Sequence, residues 1–198
     1  LPLIPLIKKN LISIKNIIID SKSGYSGAGR KIHKKYANKN LYDSLSAYGI
    51  ASHRHNSEIQ QEFNLITNKK VKFSFTPHLS PMFRGILSTI YADLPKEINV
   101  KKITNELKKF YKNDHFIKIL TPNTYLSTND VMNTNYCYIS VFKSKSRNNI
   151  IILSAIDNLI KGGAGQAVQN LNIFYNFKSN MGLKWLKKQF YYQFASFY

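Results

Sequence analysis

Three apolar, β-branched runs at residues 116–120, 135–142 and 149–156 follow one another with no helical segment between them. Further strand-like stretches lie at 16–20, 48–52, 71–76 and 85–92. Helical periodicity is confined to a few places. Leu3, Leu6, Ile7 and Leu11 share a face over 3–14, and Ile59, Phe63 and Ile66 share one after the capping residues Asn56 and Ser57. Val100, Ile103, Leu107 and Phe110 mark a third helix with a lysine-rich outer face. Strands that outnumber helices and often adjoin predict an α+β fold, with a mixed, largely antiparallel sheet and helices on one face. The pattern divides into a sheet domain over 1–155 and a carboxy-terminal segment over 156–198, helical in part.

A hydrophobic content of 43%, with 12 Phe and 13 Tyr, is enough for a sizeable core and excludes global disorder. The net charge of +19 invites a nucleic-acid partner. The charge is carried by scattered lysines, however, with Arg30, Arg54, Arg84 and Arg147 as the arginines, and scattered lysine reads as a solvated surface. No specific nucleic-acid partner is expected. The single cysteine, Cys137, excludes a disulfide framework and a cysteine-rich zinc site, and its alternating surroundings read as a buried strand position. No run reaches the roughly 18 apolar residues of a membrane span. The apolar Leu1–Ile7 precedes Lys8 and Lys9, the reverse of a secretory signal, so a cytoplasmic location and no membrane partner are expected. Leu1 reads as the middle of an apolar segment, so the chain is expected to be part of a longer one.

Four constellations can carry chemistry. In His53-Arg54-His55, an extended backbone would set both imidazoles on one face, with the amino-terminal end of the following helix disfavouring their charged form. That suits a base or proton shuttle. A metal site would need a third ligand such as His78 or Glu58, and two ordinary loop histidines are the plainer alternative. The Ser23-Gly24-Tyr25-Ser26-Gly27-Ala28-Gly29-Arg30 loop offers backbone amides and hydroxyls to an oxyanion, or is simply a surface turn. Between Thr76 and Gly85, two prolines fix a loop in which Arg84 is either a bidentate clamp for carboxylate or phosphate or an ordinary surface arginine. Finally, Asp157 to Asn170 holds Gly162, Gly163 and Gly165 inside a helical pattern. Each glycine there costs roughly 1 kcal/mol relative to alanine, so close approach of a partner backbone or a ligand is the expected reason.

The order of these motifs resembles the N-acetyl-gamma-glutamyl-phosphate reductases, a family similar in plan to glyceraldehyde-3-phosphate and aspartate-semialdehyde dehydrogenases. The resemblance is carried by Asp20–Arg30, His53-Arg54-His55-Asn56-Ser57-Glu58-Ile59, Phe75–Leu79 with Met82–Ile86, and Ile156–Ile173. It implies a cytoplasmic, NADP-dependent homo-oligomer of arginine synthesis. The family's Rossmann half and Pro-Gly-Cys nucleophile precede this part, and its carboxy-terminal helix docks back on the Rossmann half. The implied reaction is attack of the cysteine on N-acetyl-glutamyl 5-phosphate, loss of phosphate, and reduction of the thioester to the semialdehyde. The nucleophile falls just before Leu1, which would leave this chain inactive alone, and Cys137 does not replace it.

On the family pattern, His55 with His53 beside it is the proton-handling residue. Ser23, Ser26, Arg84 and Glu58 are substrate-binding candidates. Gly162, Gly163, Gly165 and Asn170 are candidates for the nicotinamide side of NADP, and no metal is implied. Ser57 departs from the family's usual proline, and the tail from Trp185 to Tyr198 departs from its pattern. The related aminoadipyl-phosphate reductase of lysine synthesis, a basic nucleic-acid-binding module and a His-x-His metal hydrolase are the competing readings.

Overall fold

The computed structural model describes residues 1–28, 43–145 and 148–183. Its strands are β1 (Ile17–Gly24), β2 (Ser46–Ala47), β3 (Phe73–Ser80), β4 (Ile86–Asp93), β5 (Ile117–Ile119), β6 (Cys137–Lys143) and β7 (Asn149–Ile156). They form one sheet in the order β2-β3-β1-β4-β7-β6-β5. The pairings β1–β3 and β5–β6 are parallel, and β1–β4, β2–β3, β4–β7 and β6–β7 are antiparallel. The expected mixed, largely antiparallel sheet is therefore present. Helices α1 (Leu3–Lys8), α2 (His55–Ile66) and α3 (Val100–Phe110) pack with one another and against one face, and α4 (Gly165–Phe174) follows β7.

Period-two alternation explains which residues meet those helices. Ile17 and Ile19 of β1, Ile90 and Ala92 of β4, Ile150 and Ile152 of β7, and Ile139 and Val141 of β6 turn to the helical side and are buried. Leu6, Ile103, Leu107 and Phe63 complete this core from the helices. Ile18 and Tyr91, of the opposite parity, stand on the other face and stay exposed. Part of that second face is covered by the segment between β5 and β6, which brings Leu126 and Val131 over Ala155.

Several boundaries differ from the sequence-based expectation. Helix α1 stops at Lys8 and does not run to residue 14, because Asn10 adopts φ +54°. The Asn10 N–H then reaches Ile7 O at 3.0 Å and the Leu11 N–H reaches Leu6 O at 2.9 Å, which satisfies the last carbonyls and buries Leu11 beside Leu6. The expected strand at 48–52 is a turn, since Gly49 and Ala51 both have positive φ. Strand β3 continues through Thr76, Pro77 and His78, where a loop was expected, so only residues 81–85 connect it to β4. Pro77 has no amide to donate, but its carbonyl accepts the Tyr48 N–H at 3.1 Å just where the short β2 ends. Ser23 and Gly24 close strand β1, so the expected Ser/Gly loop begins only at Tyr25. Gly29, Arg30, Arg147 and the tail from Trp185 to Tyr198 lie outside the described residues.

Candidate functional site: a cleft on the helical face

Beside the core, the helical face of the sheet opens into a cleft of about 790 Å³. His53, His55 and Glu58 form one wall, Ser23 and Gly27 another, and Asn158 and Gly162 a third. The sequence thus folds all four motifs onto a single cavity, the Thr76–Gly85 segment through Pro77. Its floor is a polar row in an otherwise apolar face. Ser21, Ser88 and Ser154 sit opposite one another across β1, β4 and β7, with Ser21 Oγ 2.7 Å from Ser88 Oγ.

The two imidazoles meet, with ring centroids 4.6 Å apart at 77°, but not through an extended backbone. Arg54 is helical at φ −53°, ψ −33°, and His55 is already the first residue of α2. What joins the rings is the helix start itself. The His55 N–H, one of the amides with no partner inside the helix, donates to His53 Nδ1 at 3.2 Å. A neutral imidazole that accepts at Nδ1 carries its proton on Nε2, so this bond selects the tautomer. Tyr48 and Phe75 hold the His53 ring edge-on, at 5.3 and 5.5 Å between centroids. The His53 pKa is lowered, first by burial, then by the neighbouring His55 and Arg54, while Glu58 acts in the opposite sense. The ring is therefore kept neutral, its Nδ1 lone pair taken by the His55 N–H and its Nε2–H left to donate. His55 is more open and lies 3.8 Å from Glu58 across one helical turn.

His78 does not join this pair. Its parity on β3 sends it to the opposite face of the sheet, where Nδ1 lies 3.0 Å from Asp20 Oδ1 without hydrogen-bond alignment. Among the described residues no group of three or more His, Cys, Asp or Glu is placed to hold a metal ion.

Arg84 is not on the cleft wall. Its guanidinium turns to Asn133 and to Asp157, 3.5 Å away and fully buried. Asp157 also accepts from the N–H groups of Asn133, Leu159 and Ile160 at 2.8, 2.9 and 3.1 Å. The arginine thus neutralises the carboxylate that starts the turn after β7, and its free clamp role is not what the geometry offers.

Ser26 is half-buried behind the rim, where its Oγ accepts from Asn158 Nδ2 at 2.9 Å. After Asp157 the chain makes a wide turn over Ile160–Ala164, kinked at Gly163, before α4. Gly162 and Gly163 are exposed, whereas Gly165 is packed so closely that a Cβ would lie 2.5 Å from Asn135 Oδ1. Asn170 is exposed on α4 and accepts from Gln166 at 2.8 Å. Cys137 lies under the cleft, completely buried and 3.5 Å from Ser154 Oγ, and burial pushes its thiol pKa up. It is an inert core residue, as its sequence setting implied.

Sequence reasoning missed Asn158 as a hub and the serine floor. Ser88 and Ser154 did carry a signal: each stands at a parity otherwise occupied by isoleucine or alanine.

Residues 1–158 match the family model described as semialdehyde dehydrogenase, dimerisation domain. The chain is 46% identical over 185 residues to the N-acetyl-gamma-glutamyl-phosphate reductase of Thermoanaerobacter pseudethanolicus, covering 92% of this chain and 53% of that protein. It is 44% identical to the probable chloroplastic N-acetyl-gamma-glutamyl-phosphate reductase of Arabidopsis thaliana, covering 92% of this chain and 46% of that one. For the Staphylococcus aureus reductase the identity is 42%, with 93% and 54% covered. The chain therefore spans about half the length of the curated relatives it matches. Among solved structures, a probable aspartate-semialdehyde dehydrogenase from Pseudomonas aeruginosa superposes with a TM-score of 0.66 at 16% identity, covering 89% of this chain and 59% of that one. Aspartate semialdehyde dehydrogenase II from Vibrio cholerae does so at 0.64, again at 16% identity, with 88% and 59% covered. This likeness is one of fold. The chain belongs to the semialdehyde dehydrogenase dimerisation-domain family.

Proposed function

We propose that this chain is the histidine- and substrate-bearing half of an acyl-phosphate reductase of arginine synthesis, converting N-acetyl-glutamyl 5-phosphate to its 5-semialdehyde with release of phosphate. The observation that carries the reading is His53, held neutral with its tautomer selected, inside a cleft walled by the Ser/Gly turn and the glycine turn after β7. The homologous reductases supply the substrate class.

In this reading His53 donates from its Nε2–H to the reacting oxygen, and the more open His55 beside it accepts and returns the proton. The family pattern pointed first to His55. The fixed tautomer of His53 supports that choice, because it leaves His53 no free lone pair toward the cleft, and general acid–base help of this kind is worth about 10²–10⁴ in rate. Ser26 offers its hydroxyl to a substrate oxygen, Ser23, whose hydroxyl donates to the Gly24 carbonyl at 3.2 Å, offers only its lone pairs, Glu58 borders the histidine wall, and Arg84 positions the turn that starts at Asp157.

The residues present fit NADP at the Gly162–Gly163 turn. Both glycines are exposed, and a Cβ on Gly162 would meet nothing nearer than 3.5 Å, so internal packing does not explain that glycine and a flat ring has room to approach. When bound there, the reduced nicotinamide supplies the hydride. Gly162 and Gly163 would hold its face, Asn170 lies on the adjoining helix, and Gly165 is reserved for packing. The exposed Leu171 and Phe174 of α4 are the surface that docks on the nucleotide-binding half. The open face of the sheet, with Ile18 and Tyr91, is the surface through which a homo-oligomer assembles.

The reading is tested by titrating the chain with N-acetyl-L-glutamate while following the histidine signals by NMR. The His53 resonance is expected to move and saturate, with a weaker response to the one-carbon-longer N-acetyl-aminoadipate of the lysine pathway. A His53 signal that ignores both compounds at tens of millimolar overturns it.

A further inference from the structure

Asn158 lines the cleft but is only 8% exposed. Its Oδ1 accepts the Gly85 N–H at 2.7 Å. That bond decides which end of the amide is oxygen, because the flipped amide would set its NH₂ against an N–H. Nδ2 therefore faces Ser26 Oγ, 2.9 Å away. An amide nitrogen has no lone pair to offer, so the Ser26 hydroxyl must accept here, and its own proton has to go to another oxygen. Gly27 makes the room: a Cβ there would lie 2.9 Å from Ser23 Oγ and 3.3 Å from Asn158 Nδ2.

We propose that Asn158 is a positioning residue that turns the Ser26 hydroxyl into a proton donor toward an anionic ligand oxygen, of a carboxylate or a phosphate. The inference rests on the reading of the cleft as a substrate site. The three groups form one directed chain, from the Gly85 N–H through the Asn158 amide to the Ser26 O–H, in which each bond polarises the next. Asn158 itself need not touch the ligand. A carboxylate of the same shape would keep the Gly85 bond but would draw the Ser26 proton to itself, leaving only lone pairs and a negative charge for the incoming anion.

The test measures the affinity of the full chain for inorganic phosphate and, in a separate arm, for N-acetyl-L-glutamate, in Asn158→Ala, Asn158→Asp, Ser26→Ala and Asn158→Ala/Ser26→Ala. The arm that responds identifies which anion the hydroxyl serves. Asn158→Ala is expected to weaken binding roughly tenfold when Ser26 is present and less than twofold when it is absent, the scale of one hydrogen bond to a charged group. Asn158→Asp, which keeps the Gly85 bond and so preserves the fold if Asn158→Ala does not, is expected to weaken it at least as much. A Ser26→Thr background, which keeps the hydroxyl, should restore the sensitivity. A merely structural asparagine would lose the same affinity with or without Ser26, and that result, or wild-type affinity in Asn158→Asp, overturns the proposal alone. Failure of the unaltered chain to bind either anion overturns the reading of the cleft as well.

Discussion

The Arg84 guanidinium lies 3.5 Å from the carboxylate of Asp157, a residue with no solvent exposure at all. Asp157 uses its remaining acceptor capacity on three backbone amides, so this one side chain fixes both the start of the glycine turn and Asn133 in the turn before β6. Removing the arginine leaves a buried charge without its counter-ion, which costs about 3 kcal/mol. Arg84→Met should therefore lower the denaturant midpoint substantially, and Arg84→Lys should recover part of the loss. If Arg84→Met unfolds like the unaltered chain, the pair does not stabilise the turn.

His53 couples stability to pH in a defined direction. Its folded pKa lies below the ordinary value of 6.5, so the unfolded chain binds the proton more readily. The stability contributed by the neutral ring is complete above 6.5 and is lost as pH falls through the folded value. An NMR titration of the His53 ring should give a midpoint below 6.5. His55→Gln should move that midpoint upward and Glu58→Gln should move it further down, because His55 and Glu58 act on it in opposite senses. A midpoint indifferent to both changes would show the rings to be uncoupled.

At Gly165 the constraint is steric. A methyl group there would lie 2.5 Å from Asn135 Oδ1, 2.6 Å from Ile160 Cγ2 and 2.9 Å from the Ile160 carbonyl. Helix propensity alone would make Gly165→Ala stabilising by up to about 1 kcal/mol. Overpacking against backbone is expected to win, with a net loss of about 1–3 kcal/mol. Thermal unfolding decides between the two signs.

The open sheet face makes a prediction about assembly. Ile18 and Tyr91 are neighbours across β1 and β4, 40% and 37% exposed. If this is the surface that meets a second copy, Ile18→Lys combined with Tyr91→Lys should lower the mass measured by sedimentation without changing the circular dichroism of the monomer. An unchanged oligomer would place the interface elsewhere.

The sheet and its helices were legible because burial imposes a period on the chain. Ile17 and Ile19, or Ile150 and Ile152, alternate with outward residues, and Val100, Ile103 and Leu107 recur at helical spacing, whatever lies beyond them in the fold. Strand β7 and helix α3 appear within the expected limits for that reason. The ends of elements were less legible, since they depend on single backbone angles such as those of Asn10, Gly49 and Ala51, which composition does not specify.

The motifs of the cleft also stood in the linear chain, and the order of His53-Arg54-His55, the Ser/Gly turn and the glycine run was enough to indicate one kind of chemistry. Their roles were another matter. That His53 and not His55 has its tautomer selected, that Arg84 turns to Asp157, and that Asn158 orients Ser26 all depend on partners 2 to 132 positions away in sequence. The sequence by itself determined which residues face inward and what chemistry they carry. Only the tertiary structure decided which donor meets which acceptor, because hydrogen-bond polarity depends on angles and distances between segments that no local periodicity encodes.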